Sequence, residues 1–216
     1  MSWEGCSPPQ TPLAKRGAAH PPLETRAGYF RKYERGKDLE PLILMLRGVN
    51  VSGANKLPMA SFREMLGGLG FERVQTYIQS GNAVMLGERG GAERRVAEGL
   101  RSCFGLEVPV FVLTLKEMAA VLAANPFVAE GEADGARVHV IFLKGDVALK
   151  PGLEEHATKG ERFHLGAGAF YLHTPQRFGS SAVAERLPRF LKAGMTARNQ
   201  RSATAILEMA RGLTGM

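Results

Sequence analysis

From Leu42 onward, apolar and polar positions fall into short blocks whose period alternates between that of a strand and that of a helix. Leu42 to Leu46 is a continuous apolar run bounded by Pro41 and Gly48, the pattern of a buried central strand. After Pro58 the spacing becomes helical, with Met59, Phe62, Met65, Leu66 and Leu69 on one stripe. Pro58 suits a helix start, where a missing N–H costs little, and Gly70 suits the stop. Val74, Thr76 and Ile78 then alternate with Gln75, Tyr77 and Gln79, and Ser80-Gly81 reads as a tight turn into a second strand, Asn82 to Leu86. Residues 92 to 104 return to helical spacing, with Val96, Leu100, Cys103 and Phe104 on one side. Val108 to Leu113 is apolar and β-branched, a strand with Pro109 at its start or edge.

The order from residue 42 to 113 is therefore β-α-β-β-α-β, that of the split βαβ or ferredoxin-like unit, and it predicts an antiparallel sheet with helices on one face. Thr114, with Glu117 three residues on, has capping-box spacing and opens a helix that ends at Asn125-Pro126. The acidic stretch Glu130 to Ala136 reads as a surface loop. Arg137 to Leu143 is a strand, residues 150 to 157 a short helix, and FHL and AFYLH a hairpin around Gly166 to Gly168. Ala182 to Leu191 is a helix, Met195 to Ala197 a short strand, and Asn199 to Ala210 a final helix. The same order appears a second time. The fold class expected is α+β: tandem ferredoxin-like halves, 41–128 and 129–216, with antiparallel sheets and an extra C-terminal helix.

Residues 1 to 40 lack such periodicity. They are rich in Pro and charge, with too little apolar surface to offset the entropy of ordering, and are expected to be a disordered extension. A transit-like arm and an over-long start are the other readings; five acidic residues argue against the first, and no apolar signal-peptide core is present. The longest apolar run in the chain falls far short of the roughly 20 residues of a membrane span.

Composition adds constraints. The 216 residues are 44% hydrophobic, enough for one sizeable core or two small ones. Two cysteines, Cys6 and Cys103, make neither a disulfide framework nor a zinc site and fit free thiols in a reducing, cytoplasmic setting. The formal charge is +7. A basic protein attracts phosphate-bearing partners through its long-range field. Residues 1 to 40 hold seven Lys/Arg against five Asp/Glu, and no block of like charge stands out in the remainder, so a generic basic surface is favoured over nucleic-acid binding.

Several strings occur in a specific order: LMLRGVNVSGANKLPM, LGFERVQTYIQSGN, VPVFV, AANPF and, near the end, TARNQRSATAILEMA. In these motifs the chain resembles the bacterial DUF 1697 family, a domain of unknown function, over residues 42 to 211. The resemblance implies a small cytoplasmic two-part α/β protein with no agreed activity or cofactor. Two positions depart from the family pattern. Gln200 stands where an aromatic Trp usually follows TARN, and Phe178 to Val183 (FGSSAV) stands where a basic GRSKL-like segment is usual.

Candidate chemistry concentrates in two polar, Gly-bearing loops at strand ends, RGVNVSGANK and QSGN. Arg47, Asn50, Ser52, Gly53, Asn55 and Lys56 combine cations with flexible backbone and amide side chains, ingredients for holding an anion or a sugar-like ligand. The spacing is that of neither a P-loop nor a dinucleotide fingerprint, and plain turn chemistry is the alternative. Gln79, Ser80, Gly81 and Asn82 likewise have a turn role. In a ferredoxin-like unit strands one and three are antiparallel neighbours, so Asn82 should approach Arg47 and make one cluster of the two loops. Thr196, Arg198 and Asn199 lie at a strand-to-helix junction; Asn199 suits an N-cap, and Arg198 would join Arg47 and Lys56 if the halves pack with their sheets facing.

The remaining constellations are weak. The histidines, His20, His139, His156, His164 and His173, have no metal-ligand spacing. Those on strands, His139, His164 and His173, read as packing or surface residues. Ser80 is not in a G-x-S-x-G elbow, and Cys103 lies on the apolar stripe of its helix. The βαββαβ order is also that of RNA-recognition motifs, but LILML and NAVML lack the aromatics that stack bases. The expectation is a cleft that binds a small polar or anionic ligand through Arg47, Asn50, Asn55, Lys56, Ser80, Asn82, Arg198 and Asn199, with no metal, cofactor or membrane partner. The alternative is a non-catalytic module that binds protein or nucleic acid through its basic surface. The sequence does not decide whether the protein is an enzyme.

Overall fold

Five successive apolar residues need cover on both faces of a sheet, because alternate side chains on a strand point to opposite sides. In a computed structural model of the chain, Leu42 to Leu46 are all 0–1% exposed. The structure describes residues 39–214 apart from 52, 54 and 146. The predicted N-terminal extension up to residue 38, and Ser52, lie outside the described residues.

The first half comprises β1 (Glu40–Leu46), α1 (Met59–Gly68), β2 (Glu72–Tyr77), β3 (Asn82–Gly87), α2 (Ala92–Phe104) and β4 (Val110–Thr114). Its strands form an antiparallel sheet of order β2-β3-β1-β4. Then follow α3 (Leu115–Ala123) and the short α4 (Val128–Ala133). The second half contains β5 (Val138–Lys144), a 3-10 turn at Leu153–His156, β6 (Arg162–Gly166), β7 (Ala169–His173), a 3-10 turn at Phe178–Ser180, α5 (Ala182–Phe190) and β8 (Gly194–Asn199). Its sheet has the order β6-β7-β5-β8, the same arrangement as the first. The last helix is α6 (Gln200–Arg211). The fold is α+β, two ferredoxin-like halves in tandem.

The sheets are not covered by helices on one face only, as the sequence predicts for the first half. Leu42, Leu44 and Leu46 face α1 and α2 with Phe62, Leu66, Val96 and Leu100. Ile43, Met45 and Val84 face the other way, into a second core shared with α3, α6 and the inner face of the second sheet through Met118, Ile206, Val140 and Tyr171. A third core, with Phe170, Leu172, Val183 and Leu187, lies on the outer face of that sheet. Helices α3 and α6 are thus the shared filling between the halves. The Tyr171 hydroxyl donates to the Val121 carbonyl on α3 at 2.7 Å, and burial raises its pKa.

Other local readings are refined. Thr114 and Glu117 form the capping box, the Glu117 carboxylate accepting from Thr114 N–H at 2.7 Å and Thr114 Oγ1 from Glu117 N–H at 3.1 Å. The stretch expected to be a loop at Glu130 to Ala136 begins inside α4, whose Gly131 is buried against Gln200. The first hairpin turns over four residues, Ile78 to Gly81, because Tyr77 pairs with Asn82. Ile78 and Gly81 both have positive φ, 46° and 70°. Among the described residues, no helix is long and apolar enough to cross a membrane.

Candidate functional site

The loop after β1 and the turn after β2 meet because β1 and β3 are antiparallel neighbours. Met45 lies opposite Asn82 in the register, and Leu46 N–H donates to the Gly81 carbonyl at 2.9 Å. Asn50 fastens the two loops together. Its amide donates to the carbonyls of Leu57 at 2.9 Å and Gln79 at 2.8 Å, while its Oδ1 accepts from Leu57 N–H at 2.8 Å. Its φ of 54° is one that Asn tolerates better than most residues. Asn55, also at positive φ, donates to the Gly48 carbonyl at 2.9 Å. The amide side chains of this loop hold its own shape, and Lys56 is exposed beside them.

The second half contributes Arg198 from β8. The residue is only 9% exposed, and its guanidinium reaches across the seam between the halves. Nε donates to Asn82 Oδ1 at 2.5 Å; Nη2 donates to the carbonyls of Leu46 at 2.7 Å and Ser80 at 3.2 Å. Nη1 donates to Thr196 Oγ1 at 3.0 Å and to the Ala197 carbonyl at 2.7 Å. All five N–H donors of the side chain are thereby used. Asn82, fully buried, is equally committed, since its amide donates to Ser80 Oγ at 2.8 Å and to the Tyr77 carbonyl at 3.3 Å. Each acceptor of Arg198 is neutral. Burial lowers its pKa to about 10, which leaves it charged at neutral pH.

These groups line a cleft of about 480 Å³ between the halves, with Arg47, Arg198, Ser80, Thr196, Asn199 and Ser202 among its polar walls and Leu46, Val49, Val51, Ala197 and Phe178 among its apolar ones. Among the described residues the lining includes two arginines and neither aspartate nor glutamate. Arg47 is exposed, and among the described residues its guanidinium has no partner. Asn199 caps α6, its Oδ1 accepting from Ser202 N–H at 2.9 Å, and Arg201 N–H goes to the Gly135 carbonyl at 3.3 Å. The end of α6 is therefore partly closed to an outside anion.

Of the residues singled out from the sequence, the structure brings Arg47, Ser80, Arg198 and Asn199 to the cleft wall. Asn50 and Asn82 stand behind it as supports, and Asn55 and Lys56 lie outside its lining. Two lining residues had no signal of this kind in the sequence, His139 on β5 and Phe178. Their rings stack with centroids 4.0 Å apart and 23° between planes. Burial pushes His139 down to about 4, so the imidazole is neutral at pH 7. Its Nδ1 is buried without a hydrogen-bond partner among the described residues.

Comparison with known proteins fits this architecture. A family model described as a protein of unknown function, DUF1697, matches residues 39–171. The chain belongs to the DUF1697 family. The match takes in both loops of the first half and extends to β7 of the second. Among solved structures, a conserved bacterial protein from Streptococcus pneumoniae is similar, with 25% sequence identity and a TM-score of 0.57 over 80% of this chain and 99% of that one. No curated protein matches. The Gln200 side-chain Oε1 accepts from Asn125 Nδ2 at 2.7 Å, which ties the AANPF segment to the start of α6.

Proposed function

We propose that the cleft between the halves binds a small anionic or polar ligand. The observation that carries this reading is the pairing of two arginines with no carboxylate among the described residues of the lining. Arg198 is a buried charge surrounded by dipoles only, and an uncompensated charge in a low-dielectric wall projects a strong field into the adjoining space. Arg47 supplies the free guanidinium, whose planar fork matches carboxylate and phosphate oxygens in bidentate fashion. Arg198 itself has no donor to spare, so its part is to hold the two loops and to bias the cleft electrostatically. The main-chain and side-chain bonds made by Asn50 and Asn82 keep the loops in place before a ligand arrives, which lowers the ordering cost of binding.

A thermal-shift titration with orthophosphate and with a sugar phosphate, at matched ionic strength, tests the reading. Stabilisation of the native protein that is lost in Arg47→Ala is the expected result. Equal stabilisation by chloride at the same ionic strength, or stabilisation that persists in Arg47→Ala, would overturn it. Arg47 is exposed, so this variant removes the charge without disturbing a core.

A further inference from the structure

Resting on the reading of the cleft as an anion site, we propose that its ligand is a nucleoside monophosphate, with its base against Phe178 and its phosphate at Arg47.

The two ends of the cleft differ in chemistry. At one end Thr196 Oγ1 donates to the Leu46 carbonyl at 3.4 Å, which sets Thr196 beside the residue that precedes Arg47. At the other, Asn199 is the register partner of His139, and His139 carries the Phe178 ring. Thr196 and Asn199 are three positions apart on β8, so their side chains lie on opposite faces, and the cleft passes round this edge strand from Arg47 to Phe178.

Each end also matches its half of such a ligand. Phe178 is half-buried and lines the cleft, its ring stacked on the imidazole of His139, which lines it too. The imidazole is kept uncharged by burial, so the ring pair offers an apolar, polarisable wall to an aromatic face. Base-on-aromatic stacking needs no more than this and tolerates any base. Arg47, the cation without a partner among the described residues, stands at the far end, where a phosphate would sit. The cleft volume of about 480 Å³ falls within the range of roughly 300–1,000 Å³ usual for small-molecule sites, which favours one free nucleotide over a strand.

Isothermal titration of the full chain with AMP, UMP, adenosine and orthophosphate, repeated on Phe178→Leu and Arg47→Ala, separates this inference from the reading beneath it. Both nucleotides should bind more tightly than orthophosphate. Phe178→Leu should weaken them by roughly tenfold or more and leave orthophosphate unchanged, while Arg47→Ala weakens all three anions. If orthophosphate binds as well as AMP, or Phe178→Leu leaves AMP unaffected in a variant with native near-ultraviolet dichroism, the nucleotide assignment is wrong and the anion site stands. If adenosine binds as tightly as AMP, or neither AMP nor orthophosphate binds, both fall.

Discussion

Arg198 on β8 and Asn82 on β3 lie 116 residues apart in sequence and meet side chain to side chain, guanidinium Nε to amide Oδ1, at 2.5 Å. This bond and the neighbouring ones to the carbonyls of Leu46 and Ser80 join the two halves at the cleft. A second seam lies elsewhere, where Lys144 at the end of β5 donates to the Val110 carbonyl and to Glu93 and covers the Phe111 ring.

Removing Arg198 leaves buried acceptors on the first half without donors. Arg198→Ala should cost about 3 kcal/mol or more in urea denaturation. Arg198→Lys should recover little of it, because one ammonium cannot reproduce the five-donor fork. A double-mutant cycle with Asn82→Ala should give a coupling of about 0.5–3 kcal/mol; additivity would mean that the two side chains do not act together.

Gly81 and Gly48 have nearly the same backbone, φ 70° and 72°, and different surroundings. A Cβ at Gly81 would stand 2.5 Å from Val49 Cγ2 and 2.9 Å from Leu46 Cβ, whereas a Cβ at Gly48 meets nothing within 4 Å. Gly48→Ala should therefore show the conformational cost alone, about 1–2 kcal/mol, and Gly81→Ala an overpacking cost of about 1–3 kcal/mol beyond that. Denaturant midpoints of the two variants side by side check the difference.

Ile78 is a β-branched residue held at φ 46° in the hairpin turn and 53% exposed. Its left-handed backbone is unfavourable for such a side chain and little burial compensates. Ile78→Asn should raise stability by about 0.5–1 kcal/mol, read as an increase in melting temperature. A decrease would show that the isoleucine makes a contact worth more than its backbone strain.

His139 gives a pH dependence of definite sign. Its folded pKa, about 4, lies below the ordinary imidazole value of 6.5 because the ring is buried, so the unfolded chain binds the proton more readily. The contribution to stability is complete above pH 6.5, declines as pH falls toward 4, and changes no further below that. Melting temperatures of the native protein between pH 4 and 7 should fall on acidification more steeply than those of His139→Phe. Parallel curves would show that other groups carry the acid sensitivity.

The helical stripes and the strand order were readable from residue types because each depends on neighbours in the chain. Met59, Phe62, Met65 and Leu66 are buried as their spacing predicts, and Thr114 with Glu117 caps α3 as its motif predicts. The hairpin turn is two residues longer than its sequence signal, because Ser80-Gly81 alone is a sufficient turn and only the pairing of Tyr77 with Asn82 lengthens the loop. The cleft was half legible. Arg47, Ser80, Arg198 and Asn199 belong to motifs with unusual polar and glycine content, whereas His139 and Phe178 are an ordinary strand residue and an ordinary turn aromatic until packing stacks them.

The sequence by itself determined the two βαββαβ halves and the adjacency of the RGVNVSGANK and QSGN loops. Local periodicity fixes elements, and antiparallel order then fixes which strand ends are neighbours. The tertiary structure alone decided how one half faces the other, and with it the role of Arg198. A guanidinium surrounded by Leu46, Ser80 and Asn82 is a buried strut with every donor occupied; the same residue on an isolated half would be a free surface cation. That difference is set by contacts across more than a hundred residues, where side-chain packing chooses the partner and no local pattern records it.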